Sequence, residues 1–516
     1  MASIKENTMK IKLNQLGYRP GDKKIAVLSP GDSEFEVFRQ TAAGSQSVLC
    51  GKVSAPVGHA ASKGSVCLAD FTGITERGEY FLKTPSGESY GFIIDENPYG
   101  NLRRAILEMF NYQKCGVSVN GGLWSHSACH TGLAAIYETE IKKDVSGGWH
   151  DAGDYGRYVV PAAKTVADLL LAYELSKNPD SEVLDTVWFE IEWMLKMQDE
   201  ATGAVYHKVS CKSFCALDMM PEDENGELFI APPSLNAAGD FAAVMAMASR
   251  FYPEKKEMLL SAAKSAFLWC ESNLNMTPYK NPAGIRTGGY TDPQFQDEIF
   301  WAAAELFIAT GDEKYHTCIK ESEIFTGLGW RDMGTYAIAE YLLHAESIAD
   351  EKIYGQMKDT LKLLCGDIMQ KYGKSPYGDS LEETYIWGSN MVLANNAMTL
   401  LLANEIERNP EYTEAAQEHM NYLLGKNAIS QSFVTGFGKK SVKNPHHRPS
   451  VAKGEAVPGM VAGGPEMHLH DSALKELCAG FPPAKCYADV KESCASNEIA
   501  IYWNSPVYFV LALLDL

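Results

Sequence analysis

Residues 149–161 read Trp-His-Asp-Ala-Gly-Asp-Tyr-Gly-Arg-Tyr-Val-Val-Pro, with Gly147 and Gly148 just ahead. Glycine lets a backbone turn sharply, so this density predicts a loop that aims the Asp151 and Asp154 carboxylates into one space. Two carboxylates forced together beside aromatic and basic neighbours suit a site that holds and deprotonates a water. The same residues also read as an Asp-rich turn capping a helix that starts near Pro161. A third carboxylate, Glu498, adjoins the apolar run Ile499–Trp503. Desolvation there would raise its pKa, as a general acid requires. At the start of a last helix, read over Glu498–Leu514, it would instead meet the helix dipole, which lowers the pKa.

Cys115, Cys129, His130 and His150 offer a different chemistry. Two sulfurs and two imidazoles are the tetrahedral set that zinc prefers, and a closed set is structural. The spacing is no finger pattern, so buried thiols beside a surface histidine stand as the alternative. His126 is near enough in sequence to be mistaken for a ligand.

The elements that must position these groups fall into two regimes. From about Ile11 to Ile94, short β-rich runs (Lys24–Leu28, Phe35–Arg39, Glu79–Lys83, Tyr90–Ile94) alternate with Gly, Pro, Ser and Asp, as in a small β-sandwich. After Asp95–Gly100 the periodicity becomes helical. Candidate helices start near Leu102, Pro161, Glu182, Ser234, Lys256, Gln296, Lys314, Gly334, Glu351, Asn390 and Glu411, before the last at Glu498. Several are apolar nearly all round (Ala237–Ala248, Val392–Ala403), as an inner layer wrapped by an outer one would be. The domains expected are a sandwich over 9–96 and a barrel of helical hairpins over 97–516.

A net charge of −20 over 516 residues argues against nucleic acid or an anionic membrane as partner and fits a neutral substrate. No run is apolar and long enough to span a bilayer. Twelve cysteines without compact spacing predict reduced thiols rather than a disulfide framework. The polar Met1–Lys10 lacks a signal-peptide core, so the expected location is cytoplasmic, or outside the cell if a signal was removed. Oligomeric state is not readable.

Asn14-Gln-Leu-Gly-Tyr18 ahead of a sandwich, the Asp151–Asp154 loop and Asn497-Glu498 occur in an order that resembles the family 9 glycoside hydrolases with an N-terminal immunoglobulin-like domain. Two further signatures lie at Ser432–Arg448 (Gly438, Lys440, Pro445, His446, Arg448) and at Tyr487, Asp489, Glu498, Ala500, Asn504 and Ser505. The resemblance implies a mainly α fold, an (α/α)6 barrel after an immunoglobulin-like β-sandwich. It implies inverting hydrolysis of β-1,4-glucans, as an endo-1,4-β-glucanase (cellulase) on a β-glucan or cello-oligosaccharide. Inversion needs a protonated carboxyl at the leaving oxygen and a second carboxylate activating water, about 6.5–9.5 Å apart. Asp154 resembles the family's base, Asp151 the aspartate that helps hold the water, and Glu498 the acid.

The resemblance also implies structural zinc at Cys115, Cys129, His130 and His150, bracing the catalytic loop, and no organic cofactor. Asp297, Glu298 and Asp332 resemble a calcium site; Asp297 and Glu298 also read as plain charge at a helix N-terminus. His446 and Arg448 match groups that bind ring hydroxyls, and Arg448 offers a fork of donors for vicinal hydroxyls. His207 is expected as another binding histidine, Trp387 as a stacking platform, and Tyr502 with Trp503 beside Glu498. Core packing competes for each aromatic. Cys494 and Glu466 depart from the family pattern, and Cys478, Cys486 and Cys494 crowd one loop as Cys211 and Cys215 crowd another. Endo versus exo action therefore stays open: the alternatives are a cellodextrinase or exo-β-glucosaminidase working on oligosaccharides, and a non-catalytic carbohydrate binder.

Overall fold

The computed structural model describes residues 10–514. Two compact units form among them: residues 10–109, 367–401 and 409–514 make one, and 110–366 with 402–408 make the other.

The first unit contains a β-sandwich. One sheet pairs Ile11–Lys12, Ile25–Leu28, Gly64–Asp70 and Val57–His59 in that order. The other runs Gly17–Tyr18, Phe92–Ile94, Gly78–Thr84, Glu34–Thr41, Gly44–Lys52. Alternation along the strands points Phe35, Val37, Tyr80 and Leu82 inward onto Ile11, Tyr18, Phe71 and Phe92. At Gly17 the chains approach closely: a Cβ there would lie 2.2 Å from the Ile93 carbonyl oxygen. The sandwich does not stand alone, because Asn14 Nδ2 donates to Asn421 Oδ1 (2.8 Å) and the Lys440 N–H donates to Gln15 Oε1 (2.8 Å). The Asn14–Tyr18 and Ser432–Arg448 segments thus meet within one unit. That unit's helices include Pro410–Leu423 and Ile501–Leu514.

The second unit is built of helices in two grades of burial. Val159–Leu175, Leu235–Ala248, Gln296–Thr310 and Gly334–His344 are buried nearly all round, every residue of Leu235–Ala248 included. Between them in the chain come Glu182–Lys196, Lys256–Ser272 and Glu313–Glu321, apolar on one face only. Inner and outer helices therefore alternate, which is the logic of helical hairpins.

Three differences from the sequence reading bear on function. The catalytic-loop helix starts at Val159, two residues before Pro161. The last helix starts at Ile501, not Glu498, so Glu498 is no helix N-terminal residue. A small sheet absent from the reading runs Lys142–Lys143, Ala134–Ile136, Phe229–Ile230, Lys208–Ser210, Arg157–Tyr158. Strands of two or three residues are too short to show a period. No helix among the described residues is long and apolar enough to cross a membrane. All twelve cysteines are free thiols.

Candidate active site and metal centres

The Asp151–Asp154 loop is an irregular turn whose glycines are required. Gly148 has φ 74°, and a Cβ on it would lie 2.6 Å from the Trp193 ring. A Cβ on Gly156 would come 2.7 Å from Asp154 Oδ2. That oxygen accepts from the Gly156 N–H (2.9 Å) and from the Tyr158 hydroxyl (3.1 Å). The Asp151 N–H donates to the Gly156 carbonyl (3.0 Å), closing the turn. The helix behind it has Tyr158 as N-cap with no side-chain cap, so neither aspartate is spent on capping.

Asp151 and Asp154 are both buried, at 2% and 7% exposure. The Tyr290 hydroxyl donates to Asp151 Oδ2, while Asp151 Oδ1 has no hydrogen-bond partner among the described residues. Burial, then the Asp154 charge, raise the Asp151 carboxyl well above its ordinary value; the Tyr290 bond works the other way. Tyr290 was missed in the sequence. It sits at φ 42°, rare for a residue with a side chain, and its ring meets those of Tyr158 (5.0 Å) and Trp330 (5.1 Å) edge-on.

His207 corrects an expectation. It is fully buried and stacks on Tyr279 at 3.6 Å, and both ring nitrogens are engaged, Nδ1 with Ser234 Oγ (2.8 Å) and Nε2 with the Gly289 carbonyl (2.9 Å). Burial lowers its pKa to about 3, so it is neutral. With no nitrogen left for a sugar, it anchors the segment that carries Tyr290. Lys208 does the same from the next position, bonding Thr287 Oγ1 (2.8 Å) and the Gly288 carbonyl, and burial brings its pKa down to about 7.

Cys115, Cys129, His130 and His150 converge, their ligand atoms all within 4.8 Å of one another. Cys115 Sγ is 4.0 Å from Cys129 Sγ and 3.7 Å from His130 Nδ1, and Cys129 Sγ is 3.8 Å from His150 Nε2. With bonds of about 2.3 Å to sulfur and 2.0 Å to nitrogen, a tetrahedron has edges of roughly 3.5–3.8 Å, so the set fits one metal ion. His130 holds φ 51°, and its Nε2 meets Glu224 Oε2 at 3.0 Å, the outer carboxylate typical of a metal-bound imidazole. Against burial, which raises it, a hydrogen bond from Cys129 and the charges of Arg157 and His150 bring Cys115 well below an ordinary thiol. His126 takes no part: its Nδ1 bonds the Ser127 carbonyl.

Asp297 and Glu298 are buried, at positions two and three of their helix. Asp297 Oδ2 accepts from the Met333 N–H (2.7 Å) and Glu298 Oε1 from Asn236 Nδ2 (2.6 Å), while Asp297 Oδ1 and Glu298 Oε2 have no hydrogen-bond partner among the described residues. Two further carboxylates were missed. Asp240, with both oxygens, and Asp292, with Oδ2, lacking a hydrogen-bond partner among the described residues, are also buried. Burial first, then Asp297 and Asp292, raise Asp240 well above its ordinary value. The visible signal was one aspartate inside the otherwise apolar run Ala237–Ala248. Asp332 lies on the exposed side and is raised by burial of its carboxyl and by Asp297.

In the first unit, Glu498 is half-buried in a three-residue link between the helices Cys494–Asn497 and Ile501–Leu514. It forms a parallel bridge with His446, and its neighbour Ile499 an antiparallel one with Ala462. The motif residues build this ladder. The Tyr487 hydroxyl donates to Asn497 Oδ1 (2.5 Å), Asn497 Nδ2 reaches the Asn444 carbonyl (2.5 Å), and Asp489 accepts from the Lys443 and Asn444 N–H groups (both 2.8 Å). His446 Nδ1 donates to the Lys491 carbonyl (2.7 Å), which leaves Nε2 for a ligand. Burial first, then the Arg448 charge, lower its pKa. Arg448 is buried at the start of a short helix. Trp387 keeps 40% of its surface exposed, 6.2 Å from the His470 ring, whereas Tyr502 is buried against Trp503.

The departures from the family pattern resolve locally. Glu466 is fully buried, and its carboxylate accepts from the His468 (2.6 Å) and His470 (2.9 Å) N–H groups, shaping the loop beside Trp387. Cys478 and Cys486 pack in a small apolar cluster with Leu474 and Ala495.

The family model for glycosyl hydrolase family 9 matches residues 99–511, and that for the cellulase N-terminal Ig-like domain matches 6–89. A cellodextrinase of Butyrivibrio fibrisolvens is 33% identical, with 98% of this chain and 99% of that protein covered. A thermostable endoglucanase from Alicyclobacillus acidocaldarius superposes with a TM-score of 0.92 at 38% identity, covering 98% and 99%. A structure titled as a Zn-binding triple mutant of a family 9 endoglucanase superposes with 0.90 at 29% identity, covering 96% and 99%. With its carboxylate loop, its helical hairpins and its β-sandwich, the chain belongs to glycosyl hydrolase family 9: an (α/α)6-barrel glycoside hydrolase with an N-terminal immunoglobulin-like domain that cleaves β-1,4-glucosidic bonds with inversion.

Proposed function

We propose an endo-acting β-1,4-glucanase in which Asp154 is the general base, Asp151 its partner in holding the water, and Glu498 the general acid. The buried aspartate pair carries this reading. Asp154 is fixed through Oδ2 by an N–H and a hydroxyl, both donors, which hold the carboxylate in one orientation. Asp151, pushed up by burial and by Asp154, keeps two charges from crowding one cavity and can hold the water through Oδ1. Glu498, half-buried, remains accessible to a leaving oxygen. His446 Nε2 and Arg448 take the sugar hydroxyls, and the exposed Trp387 face a sugar ring farther along the chain.

Cys115, Cys129, His130 and His150 would hold zinc, which supplies cross-linking rather than chemistry because four protein ligands leave no position for a reacting water. The unpartnered oxygens of Asp297, Glu298, Asp240 and Asp292 are hard donors suited to calcium, with Asp332 adding charge from outside. Twelve free thiols support a reducing, cytoplasmic location.

The product profile tests the mode of action. Carboxymethyl-cellulose should lose viscosity early, and cellohexaose should give mixed products. Stepwise release of cellobiose or glucose without loss of viscosity would make the chain an exo-acting cellodextrinase.

A further inference from the structure

At the other end of the helix Val159–Leu175 from the catalytic loop lies a second constellation. Glu174 is on that helix's last turn, and Glu340 and His344 share one face of Gly334–His344. His344 Nε2 stands 3.3 Å from Glu174 Oε1 and 3.8 Å from Glu340 Oε1. The three ligand atoms lie within 4.8 Å of one another. Beside them Arg250 binds Glu305 Oε2 at 2.6 Å and Glu340 through its other oxygen.

We propose that Glu174, Glu340 and His344 form a second metal site, for a divalent transition ion of the zinc class. Three observations carry it. Glu340 is fully buried, yet its Oε1, which faces His344 Nε2 at 3.8 Å, has no hydrogen-bond partner among the described residues. The separations match two edges of a coordination polyhedron: bonds of about 2.1 Å at tetrahedral angles put ligand atoms roughly 3.4 Å apart. Charge also balances. With all three glutamates ionised around a bound ion, Glu174, Glu305 and Glu340 facing Arg250 leave two negative charges, which one divalent ion cancels.

The imidazole selects a zinc-type ion over calcium or magnesium, which take oxygen donors. Glu174 and His344 are each about a quarter exposed, so the ion can enter from solvent, and water can fill its fourth position. The ion would pin the ends of two inner helices beside Arg250. The Val159–Leu175 helix puts it about 25 Å from the aspartate loop, so it would act on stability and not on hydrolysis.

The test is zinc stoichiometry after dialysis of the whole chain against zinc chloride, read by elemental analysis and by titration calorimetry. Wild type should hold one more equivalent than His344→Gln, and zinc should raise the wild-type thermal midpoint more than the variant's. Losing one of three ligands should weaken this class of binding at least ~100-fold, the upper end of what outer-layer changes alone cost. Hydrolysis should be equal in both. If His344→Gln folds poorly by circular dichroism, Glu174→Gln, at a partly exposed position, makes the same comparison. Equal zinc content and equal stabilisation in wild type and variant would overturn the site and leave a protonated histidine shared by two glutamates. The Cys115 cluster is read separately, because only Cys129→Ser should remove the thiolate charge-transfer band of the cobalt-loaded protein.

Discussion

The aspartate loop and the Glu498 link hold their carboxylates by opposite means. At Asp151–Asp154 the side chains themselves are pinned, by Gly156, Tyr158 and Tyr290, inside a buried turn that the Cys115, Cys129, His130 and His150 cluster adjoins. At Glu498 the pinned part is the backbone, bridged to His446 and followed by a bridge from Ile499 to Ala462, and the side chain is only half-buried. A base that must aim one oxygen at a small water gains from a fixed side chain. An acid that must reach a leaving oxygen gains from a fixed backbone and a carboxyl that is only half-buried.

Asp154→Asn and Glu498→Gln test that contrast most directly. Each should lower hydrolysis of unactivated glucans by roughly 10²–10⁴-fold, the usual worth of a general acid or base. On an aryl cello-oligoside with a good leaving group, Glu498→Gln should recover most of the rate and Asp154→Asn none. Recovery in both would break the assignment of roles. Proton NMR of the first product should show the α-anomer in wild type.

Tyr290→Phe sharpens the comparison at a pinned side chain. It removes the one hydroxyl on Asp151 and keeps the ring contacts with Tyr158 and Trp330. The rate should fall about tenfold, less than for a missing base or acid. Because the lost bond lowered the Asp151 carboxyl, the variant's carboxyl rises further. The acid limb of the kcat/KM profile should therefore move to higher pH, with little change in thermal midpoint. An unmoved limb would mean that Asp151 does not titrate in the rate.

Cys129→Ser probes the brace. Zinc content should drop by one per chain and the thermal midpoint by about 5 °C or more, since a shift of 2–4 °C accompanies each kcal/mol in a unit of this size. Activity should fall in step with stability. Full stability without zinc would remove the brace from the argument.

Part of the candidate site was legible because it depends on residue type along short segments: the glycines around Asp151 and the converging Cys and His set. Helix starts at Glu182, Lys256, Gln296 and Gly334 were legible from period alone. What escaped depends on distant parts of the chain meeting. Tyr290 comes 139 residues after Asp151, and nothing in Gly288-Gly-Tyr290 indicates where its hydroxyl goes. His207 looked like a ligand-binding histidine because its partners, Ser234 and Gly289, lie 27 and 82 residues away. Glu498 looked helical because an apolar run follows it. Its bridge to a loop 52 residues earlier, which delays the helix to Ile501, leaves no mark on the local pattern.

The smallest expected effect concerns what burying Asp151 costs. Its carboxyl is raised in the folded chain above the roughly 3.9 of an unfolded aspartate, so the folded state binds more protons between those two values. Folding stability is therefore fully present below the unfolded value and is lost as pH rises toward the folded one. Asp151→Asn carries no charge and keeps an oxygen to accept from Tyr290, so its stability should lack this decline. The variant should match wild type near pH 4 and exceed its thermal midpoint at pH 7 by about 2–4 °C for each kcal/mol relieved, while losing activity. The same comparison at Glu498, which is only half-buried, should show a smaller gain for Glu498→Gln. A gain of equal size at both positions would mean that the two carboxylates are held alike, and the contrast between a pinned side chain and a pinned backbone would fail.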